Sequence, residues 1–463
     1  MALPASKKSR RHQFVHEAFE PGTHVKKLMA MNKIEVCSGA GSMIVDSHCA
    51  GADAPAFALK LLGLPHKNRL VSEACPKKAM LHRMHHDSKH ILVDVGSCKD
   101  RRGPCYKHGS MCEWRDTPVT LMCGSFVCGP YSNQNPKRSD PDYDPKKSPG
   151  DCKKADTFHH CRDAICEDRP KFFILENVDG VKNISKGMEA SPLQWMLDDP
   201  AFGLRTQCKG YSVEAVTGVR ATSVGLPQER PRTLFFGARN DSGSTARTIA
   251  NDFQGFIKEA ETMPVHHIDQ FQKHTRSTIA PTPALCAQEY SKDHVDYCTA
   301  LMKAMEGAVQ AKLLPSNTQM PESTQRPSAS AGLRSTSVRA RATADVLDLV
   351  LVCEIEKLKD AGDPVIDAHP VGDISQSVGP RRAWRLDGCI PTLLTGSLIY
   401  DFKNRCLLDN RDLLGSMGYP EVNLSFVTPA VQRTMVGNAF AVPASALAIA
   451  ACALAGGHMM RKP

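Results

Sequence analysis

The chain has 463 residues, of which 41% are hydrophobic and 23% are charged. This composition excludes wholesale disorder, and the length allows two or three domains, or one large catalytic domain with an insertion. Lys and Arg outnumber Asp and Glu by 58 to 49, giving a net charge of +9. A positive excess of this size permits a nucleic-acid partner without requiring one.

The first residues and the 18 cysteines indicate the kind of cellular compartment in which the protein works. Residues 1–13 lack the apolar core of a secretory signal, so we expect free thiols in a reducing compartment. The basic cluster at residues 7–11 is either a nuclear address or a solvated terminus. Residues 439–457 are almost entirely apolar, but Pro443 interrupts them and favours a buried core helix over a membrane helix. We therefore expect a soluble intracellular protein with no membrane partner.

Short apolar runs alternate with amphipathic segments between residues 33 and 240. Six of these runs predict buried strands, at residues 43–46, 69–73, 91–95, 120–124, 172–176 and 233–238. Residues 55–62 and 76–86 predict helices between them. The alternation indicates an α/β domain with a mostly parallel sheet and helices on both faces. In such sheets ligands bind beyond the carboxyl ends of the strands.

The alternation ends after residue 240. Residues 241–312 are weakly periodic, and residues 323–344 are rich in Ser and Ala, with four arginines and no acid. That stretch predicts a disordered linker, with a flexible phosphate-contacting arm as the alternative. Strong apolar patterning resumes at residues 344–358 and from about residue 386 to the end. We predict a basic tail at 1–32, the α/β domain at 33–240, a smaller insertion at 241–385 and a return to the first domain at 386–463.

A thiol follows the fourth predicted strand. Cys128 is succeeded directly by Gly129 and Pro130 and then by a long polar loop. A thiol at the carboxyl end of a buried strand is well placed to act as a nucleophile. The alternative is one more small buried side chain among many cysteines.

Two further strand ends carry polar groups. One strand ends at Glu176, beside Asn177, and a partly buried carboxyl group there can deliver a proton to a ligand. Arg230 and Arg232 stand two apart on an extended segment, so they point the same way and can grip one anionic group. The alternatives are an ordinary acid at a strand end and an exposed turn.

Taken together and in this order, these segments resemble the cytosine-C5 DNA methyltransferase family. The matching strings are G-x-x-x-C-G-P-Y-S at 124–132, E-N-V at 176–178 and P-Q-x-R-x-R at 227–232. Val436-Gly-Asn-Ala-Phe-Ala-Val-Pro443 is similar to the late G-N-x-x-x-x-P motif, and residues 406–420 are similar to the segment before it. Residues 71–73 and 93–95 resemble the second and third cofactor motifs. The matches cover about residues 43–240 and 386–455, and the stretch between them corresponds to the family's variable target-recognition domain.

The first cofactor motif of the family, D-x-F-x-G-x-G-G, has two candidate positions. Residues 37–42 match better as a string, but residues 49–54 follow a predicted strand, lead into a helix and begin 24 positions before Glu73. We prefer the second position, where Cys49 replaces the phenylalanine and Asp53 the second glycine. Asp53 and Pro55 make a good helix start. A carboxylate there opposes the cofactor's methionine carboxylate but can pair with its amino group.

The resemblance implies a Rossmann-like sheet that binds S-adenosylmethionine (SAM), with helices on both faces and a smaller inserted target-recognition domain. It implies transfer of a methyl group from SAM to carbon 5 of a flipped-out cytosine in duplex DNA, through a covalent cysteine adduct. We expect this protein in the nucleus. The catalytic residues carried over from the family are Cys128, Glu176, Asn177, Arg230 and Arg232. The cofactor-binding residues are Cys49, Gly51, Asp53, Glu73, Asp94 and Asn438.

Within this family, Cys128 adds to carbon 6, Glu176 acts at ring nitrogen 3 and Asn177 holds the loop that carries Glu176. Arg230 and Arg232 bind the anionic groups of the flipped nucleotide. The loop from Tyr131 to about residue 151, with Lys137, Arg138, Lys146 and Lys147, is suited to closing on phosphates. Val127 and Gly129 depart from the proline and glutamine usual in the family, which leaves the thiol in place.

Two other functions stay open. The family's tRNA-directed branch shares the catalytic motifs, so tRNA is a possible partner. A catalytically weak DNA-binding or regulatory relative is the alternative of another class, and the altered glycine motif at Asp53 is its one supporting feature.

Two groups of metal-ligand residue types also occur. His82, His86 and His90 stand at helical spacing, and a second group comprises Cys152, His159, His160, Cys161 and Cys166. Neither has the spacing of a familiar zinc motif, so we expect solvated histidines and inert thiols, and predict no metal site.

Overall fold

The computed structural model describes residues 14–15, 17–114, 117–140, 156–275, 292–314, 333, 336–360, 369–378 and 383–462. The predicted nuclear address at residues 7–11 lies outside these ranges and stays a prediction. The chain divides into two compact units. Unit 1 consists of Met1–Phe19, Gly225–Glu229 and Met263–Ser416, and unit 2 of Glu20–Val224, Arg230–Thr262 and Met417–Pro463.

The described residues form seventeen strands, numbered in chain order. These are β1 Phe14–Val15, β2 Ile34–Val36, β3 Met43–His48, β4 His66–Ser72, β5 Ser88–Leu92, β6 Arg102–Cys105, β7 Ser110–Glu113, β8 Leu121–Gly124, β9 Phe172–Val178, β10 Tyr211–Val219, β11 Arg232–Arg239, β12 Val265–His266, β13 Val371–Asp373, β14 Trp384–Arg385, β15 Ile399–Asp401, β16 Cys406–Leu407 and β17 Met459–Arg461.

The same residues form twelve α-helices. These are α1 Pro21–Met31, α2 Ala54–Leu62, α3 Pro76–His85, α4 Asp156–Asp168, α5 Pro192–Asp198, α6 Leu204–Gln207, α7 Ala246–Ala260, α8 Lys292–Gln310, α9 Val338–Asp360, α10 Asn410–Gly415, α11 Pro429–Asn438 and α12 Val442–Ala455. Short 3-10 helices occur at Val95–Asp100, Gly129–Tyr131, Pro136–Ser139, Asp179–Lys182, Thr222–Val224, Asn240–Ser242 and Ile268–Phe271.

Unit 2 is built on one nine-stranded sheet in the order β10-β11-β9-β8-β3-β4-β5-β6-β7. The five strands from β9 to β5 are parallel. On one side β11 pairs antiparallel with β9 and β10 with β11, and on the other β6 pairs antiparallel with β5 and β7 with β6. All six predicted strands are present, and the α/β fold class is confirmed. The chain order reverses on the two sides of β3, so the carboxyl ends of β3 and β8 border a crevice of the kind where ligands bind.

Helices cover both faces of this sheet. On one face α4, α5 and α6 bury Phe158, Trp195 and Leu204 in a core that includes Phe173 and Leu175 of β9. Because side chains alternate along a strand, Phe172 of β9 points to the opposite face, where it lies against Gly456 at the end of α12. On that face α12 packs against α2 and α7. The predicted strongly buried, alanine-rich helix is confirmed, because every residue from Val442 to Ala453 is buried.

Unit 1 has a separate core. Its four-stranded antiparallel sheet has the order β14-β13-β15-β16, and β1 pairs with β12. Helices α8 and α9 pack against each other, and Leu347, Val350 and Leu351 of α9 share a buried cluster with Tyr400 of β15.

The observed boundaries differ from the predicted ones. Helix α7, placed by sequence in the insertion, belongs to unit 2, because its apolar face packs on β10 and β11. Residues 386–416, placed by sequence in the catalytic return, belong to unit 1, because β15 and β16 complete its sheet.

Two predicted irregular segments contain helix. The tail at 1–32 includes α1, whose Val25 and Leu28 are fully buried. The stretch at 323–344 lies largely outside the described residues, but its last seven residues start α9, and Ala340, Ala342 and Ala344 are buried there. Tertiary burial of small side chains outweighs the Ser- and Arg-rich composition.

No single helix in the described ranges is long and apolar enough to cross a bilayer. By length and composition alone, one bent pair passes the same test: α11 and α12, which meet at 43°.

Candidate active site

A cavity of about 170 Å³ lies beyond the carboxyl ends of β3, β4, β5 and β8. Its position is the one that the reversal of strand order predicts. Nine of the eleven predicted site residues line it: Cys49, Gly51, Glu73, Asp94, Cys128, Glu176, Arg230, Arg232 and Asn438. Residues from seven separate stretches of the chain therefore meet at one cavity of unit 2.

Two hydrogen bonds fix the loop directly before Cys128. The Val127 amide donates to Oγ1 of Thr157 at 3.0 Å. Asn177, which does not line the cavity, donates from Nδ2 to the Phe126 carbonyl at 2.7 Å. Cys128 itself is half-buried at the start of the 3-10 helix Gly129–Tyr131. Its thiol is therefore held at the wall of the cavity. Val127, where the family usually has proline, has a backbone N–H, and Thr157 accepts its hydrogen bond.

Glu176 and Arg232 form an ion pair within the cavity wall. The two strands that carry them, β9 and β11, pair in antiparallel register with Val178 opposite Arg232. Arg232 Nε lies 2.6 Å from Glu176 Oε1, and the two side chains are 6% and 12% exposed. The arginine fixes the orientation of the carboxylate that was predicted to meet the base.

Arg230 has a different role from its neighbour. Its Nη1 donates to the Val436 carbonyl at 3.1 Å and its Nη2 to the Gly437 carbonyl. Burial, and then repulsion from Arg232, lower the pKa of Arg230 to about 9, which leaves it cationic at neutral pH. Its Nε has no hydrogen-bond partner among the described residues. Arg230 thus anchors the end of α11, next to Asn438, and offers one free N–H.

The turn after β3 carries the residues expected at the cofactor. Cys49 and Gly51 have left-handed φ values of 51° and 57°. The Gly51 amide donates to Glu73 Oε2 at 2.8 Å, and the Cys75 amide donates to Oε1 at 2.9 Å. These bonds hold the Glu73 carboxylate rigidly across the turn. Asp94 is exposed and accepts a bond from the Gly96 amide at 3.0 Å.

Asp53 does not line this cavity, contrary to expectation. It caps α2 by accepting a bond from the Ala56 amide at 3.3 Å, and it accepts another from Ser47 Oγ at 2.9 Å. Its second oxygen lies 3.1 Å from Nδ1 of His82. Burial raises the pKa of Asp53, but the hydrogen bond and charge of His82 outweigh burial and lower it overall. Asp53 is a buried helix cap, and the competing candidate at residues 37–42 lies before β3, outside the cavity.

Arg138 is also placed differently from the prediction. It is buried, donating from Nε to Ser185 Oγ at 2.8 Å and from Nη1 to the Gly180 carbonyl at 2.9 Å. It therefore ties the loop to the segment after β9 and is not available for phosphates. Lys137 is exposed, and Lys146 and Lys147 lie outside the described residues.

Four polar residues of the cavity wall were not among the predicted site residues: Ser72, Lys78, Ser125 and Thr157. Lys78 stands in the first turn of α3, directly after the strand end that carries Glu73, so inspection of that turn would have found it. Nothing in the sequence signals Thr157, because α4 reaches the Cys128 loop only through the fold.

The three histidines at helical spacing do not share one helix face. Helix α3 ends at His85, so His90 lies on β5 and not on the helix face. Cys152 of the second predicted group lies outside the described residues, and its other members form no cluster of ligand atoms. Three other groups in the described ranges bring ligand atoms within 4.8 Å of one another: Asp53, His82 and His86; His267, Asp269 and His369; and His90, Cys105, His108 and Cys112.

Comparisons with known proteins agree with the motifs. The family model for C-5 cytosine-specific DNA methylases matches residues 47–452. The type II methyltransferase M.XorII of Xanthomonas oryzae pv. oryzae is 34% identical over 115 residues, covering 23% of this chain and 24% of that protein. The type II methyltransferase M.HpaII of Haemophilus parainfluenzae is 24% identical over 165 residues, covering 33% of this chain and 41% of that protein. The chain thus matches less than half the length of either relative.

Solved structures give weaker likenesses. The Dnmt2 methyltransferase of S. pombe is 13% identical with a TM-score of 0.45, covering 89% of this chain and 98% of that one. A putative DNA modification methyltransferase from an E. coli prophage is 13% identical with a TM-score of 0.44, covering 89% and 98%.

Proposed function

The chain belongs to the C-5 cytosine-specific DNA methylase family, and on that premise we propose that it methylates carbon 5 of a flipped-out cytosine in duplex DNA through a covalent bond to Cys128. The observation that carries the proposal is the meeting of Cys128, Glu176 and Arg232 with Glu73 and Asp94 around one cavity. A nucleophile and an oriented carboxylate thus share a wall with acceptor groups suited to a nucleoside.

The family uses SAM, and the residues of the cavity fit this cofactor. Each carboxylate oxygen of Glu73 accepts one hydrogen bond from a backbone amide. Each oxygen therefore keeps a lone pair that can accept a bond from a ribose hydroxyl. Asp94 is an exposed acceptor for the adenine amino group, and Gly51 and Asn438 line the side expected for the methionine end. When bound, SAM supplies an electrophilic methyl group.

Carbon 5 of cytosine is too weak a nucleophile to react unaided. We propose that the Cys128 thiolate bonds to carbon 6 while the acid form of Glu176, oriented by Arg232, donates its proton to nitrogen 3. The electron pair displaced from the 5,6 double bond makes carbon 5 nucleophilic. After carbon 5 is substituted, loss of its proton and cleavage of the bond from Sγ to carbon 6 restore the ring and the free thiolate. A base within a duplex is inaccessible to this cavity, so flipping is required.

We propose unit 1 as the target-recognition module. Residues 263–416 include most of the stretch 241–385, where the family has no shared motif, and they have their own sheet and core. This assignment makes unit 1 the source of sequence preference and unit 2 the source of chemistry.

The test uses SAM with either duplex DNA or tRNA carrying 5-fluorocytosine. Fluorine at carbon 5 cannot leave, so a working enzyme stays bonded to its target, and the adduct survives SDS. We expect an adduct with DNA that Cys128→Ser abolishes. Cys37→Ser is the matched control, because Cys37 is also partly buried in unit 2 but does not line the cavity.

The other outcomes are equally informative. An adduct with tRNA alone would replace DNA by tRNA as the substrate. If neither forms an adduct although SAM binding is measurable, the catalytic proposal fails and a regulatory, DNA-binding role takes its place.

A further inference from the structure

Four potential metal ligands converge at the edge of the large sheet, away from the cavity. His90 lies on β5, Cys105 ends β6, His108 lies in the turn that follows, and Cys112 lies on β7. None of the four lines the cavity. In sequence the last three follow the pattern C-x2-H-x3-C, with the first histidine upstream.

The distances among these groups suit one shared ion. Nδ1 of His108 lies 3.4 Å from Sγ of Cys105 and 3.0 Å from Sγ of Cys112. One ligand atom from each of the four side chains lies within 4.8 Å of all the others. In a tetrahedral zinc site, bonds of about 2.3 Å to sulfur and about 2.0 Å to nitrogen place ligand atoms roughly 3.3–3.8 Å apart. The observed cluster needs only small side-chain adjustments to reach that spacing.

The buried imidazole of His90 has two ring nitrogens that are unpaired within the described residues, and a metal ion could bind one of them. It is 6% exposed, and neither ring nitrogen has a hydrogen-bond partner among the described residues. Its ring centroid lies 5.3 Å from that of His108. A buried imidazole with both nitrogens unpaired is costly, and metal coordination through one nitrogen removes part of that cost.

The backbone also supplies a feature typical of metal-bound thiolates. The Ile91 amide donates to Sγ of Cys105 at 3.3 Å. Such outer contacts orient a ligand and stabilise its charged form. Two thiolates, one such N–H donor and two imidazoles form a set suited to Zn²⁺ in a reducing compartment.

We propose that His90, Cys105, His108 and Cys112 bind one structural zinc ion. Four protein ligands complete a tetrahedron and leave no open position for water or substrate, so the site is structural and not catalytic. The argument for this site does not rest on the proposed methyl transfer.

The zinc ion would fasten a weakly held part of the sheet. The register of β5 with β6 rests on one residue pair, Leu92 with Cys105. The ion crosslinks β5 to the β6–β7 hairpin on either side of the segment that carries Asp94. Holding that segment gives the exposed Asp94 a fixed position at the cavity.

Of the other two groups, Asp53, His82 and His86 form the stronger competitor. It offers only three ligands. The Asp53 carboxylate already accepts hydrogen bonds from Ser47 and from the first turn of α2, and it lies next to His82. This group supplies no thiolate, so the two sites are distinguishable by the atoms bound to the metal.

The experiment measures zinc in the full chain, purified with reductant and without a histidine tag. We expect about one zinc per chain, with X-ray absorption showing two sulfur neighbours at about 2.3 Å and two nitrogens at about 2.0 Å. Cobalt exchanged into the protein should give a thiolate-to-metal charge-transfer band. Cys105→Ser and Cys112→Ser should each weaken zinc affinity at least about tenfold. Cys75→Ser and His82→Asn are matched controls that should keep the metal.

Opposite results overturn the proposal. These are a wild-type chain without stoichiometric zinc, zinc with only nitrogen and oxygen neighbours, or zinc lost in His82→Asn but kept in Cys105→Ser. Because the absorption measurements use the wild-type chain, they decide the matter even where a cysteine variant fails to fold.

Discussion

Asn177 donates a hydrogen bond to the carbonyl of Phe126, two residues before the thiol of Cys128. Asn177 is 1% exposed, and its own Oδ1 accepts a bond from the Val178 amide at 2.9 Å. Strand β9 thus positions both reacting groups, because it carries Glu176 directly and holds the cysteine loop through the next residue. Asn177 is a positioning residue with no contact to the cavity.

Replacing Asn177 with Asp should slow the reaction while leaving cofactor binding largely intact. The new carboxylate would face the Phe126 carbonyl without a proton to donate, at a cost of about 1–3 kcal/mol. We expect adduct formation with 5-fluorocytosine DNA to slow by at least about tenfold. Calorimetry should find the Kd for SAM unchanged within about twofold. Asn423→Asp, at an exposed turn, is the control, and equal losses in both variants would contradict the positioning role.

Arg230 is expected to matter for stability as well as for activity. Arg230→Met removes the donors to Val436 and Gly437 and should lower the free energy of unfolding by about 1–3 kcal/mol. Because Asn438 follows directly, SAM should also bind more weakly. Urea denaturation and calorimetry measure the two effects. Exposed Arg247→Met should change neither, and a variant of Arg230 with native stability would refute the anchoring role.

Glu73→Gln tests the cofactor end of the cavity. Glutamine keeps one carbonyl oxygen but turns an amide nitrogen toward Gly51 or Cys75, both of which already donate. The clash and the lost acceptor should weaken SAM binding about 10- to 100-fold, or about 1.4–2.8 kcal/mol. Titration calorimetry provides the Kd. Glu214→Gln on β10, which pairs with Arg205 outside the cavity, should bind SAM as the wild type does.

Acid should destabilise unit 2 through His48. Burial, and then repulsion from Arg69, lower the pKa of His48 to about 3, so the folded protein keeps this ring neutral. The unfolded chain protonates it near pH 6.5. Its contribution to stability is therefore complete above about pH 6.5 and is lost as the pH falls toward 3, with a slope of up to about 1.4 kcal/mol per pH unit.

Urea denaturation between pH 7.5 and 5 measures this loss. His48→Gln should flatten the decline, whereas His66→Gln, at a partly exposed histidine of the neighbouring strand, should leave it unchanged. A decline of equal steepness in His48→Gln would show that other groups take up the protons.

Much of the site was predictable because it follows strand ends. Cys128, Glu176 and Glu73 each come directly after or at the end of an apolar run, and parallel strands bring their carboxyl ends to one edge. The order of the motifs identified the family without any contact being known. The segments that form unit 2 are far apart in sequence, but the family motifs in them predicted that they belong to one domain.

The roles of several polar residues were not predictable, because they depend on which neighbour lies within hydrogen-bond distance. Asp53 caps α2 and meets His82, which the sequence places on a separate helix. Arg138 turns inward to carbonyl groups, and Arg230 to the backbone before Asn438. Residue type alone suggested ligand contacts for all three.

The sequence by itself determined the fold class, the family and the stretches of chain that build the cavity, because strand periodicity and motif order are local properties. Only the tertiary structure decided the unit boundaries, the partners of the buried charges and the grouping of His90 with Cys105, His108 and Cys112. These features depend on burial and on distances between segments that are remote in sequence. A buried charge or thiol finds its partner only after the sheet has brought those segments together.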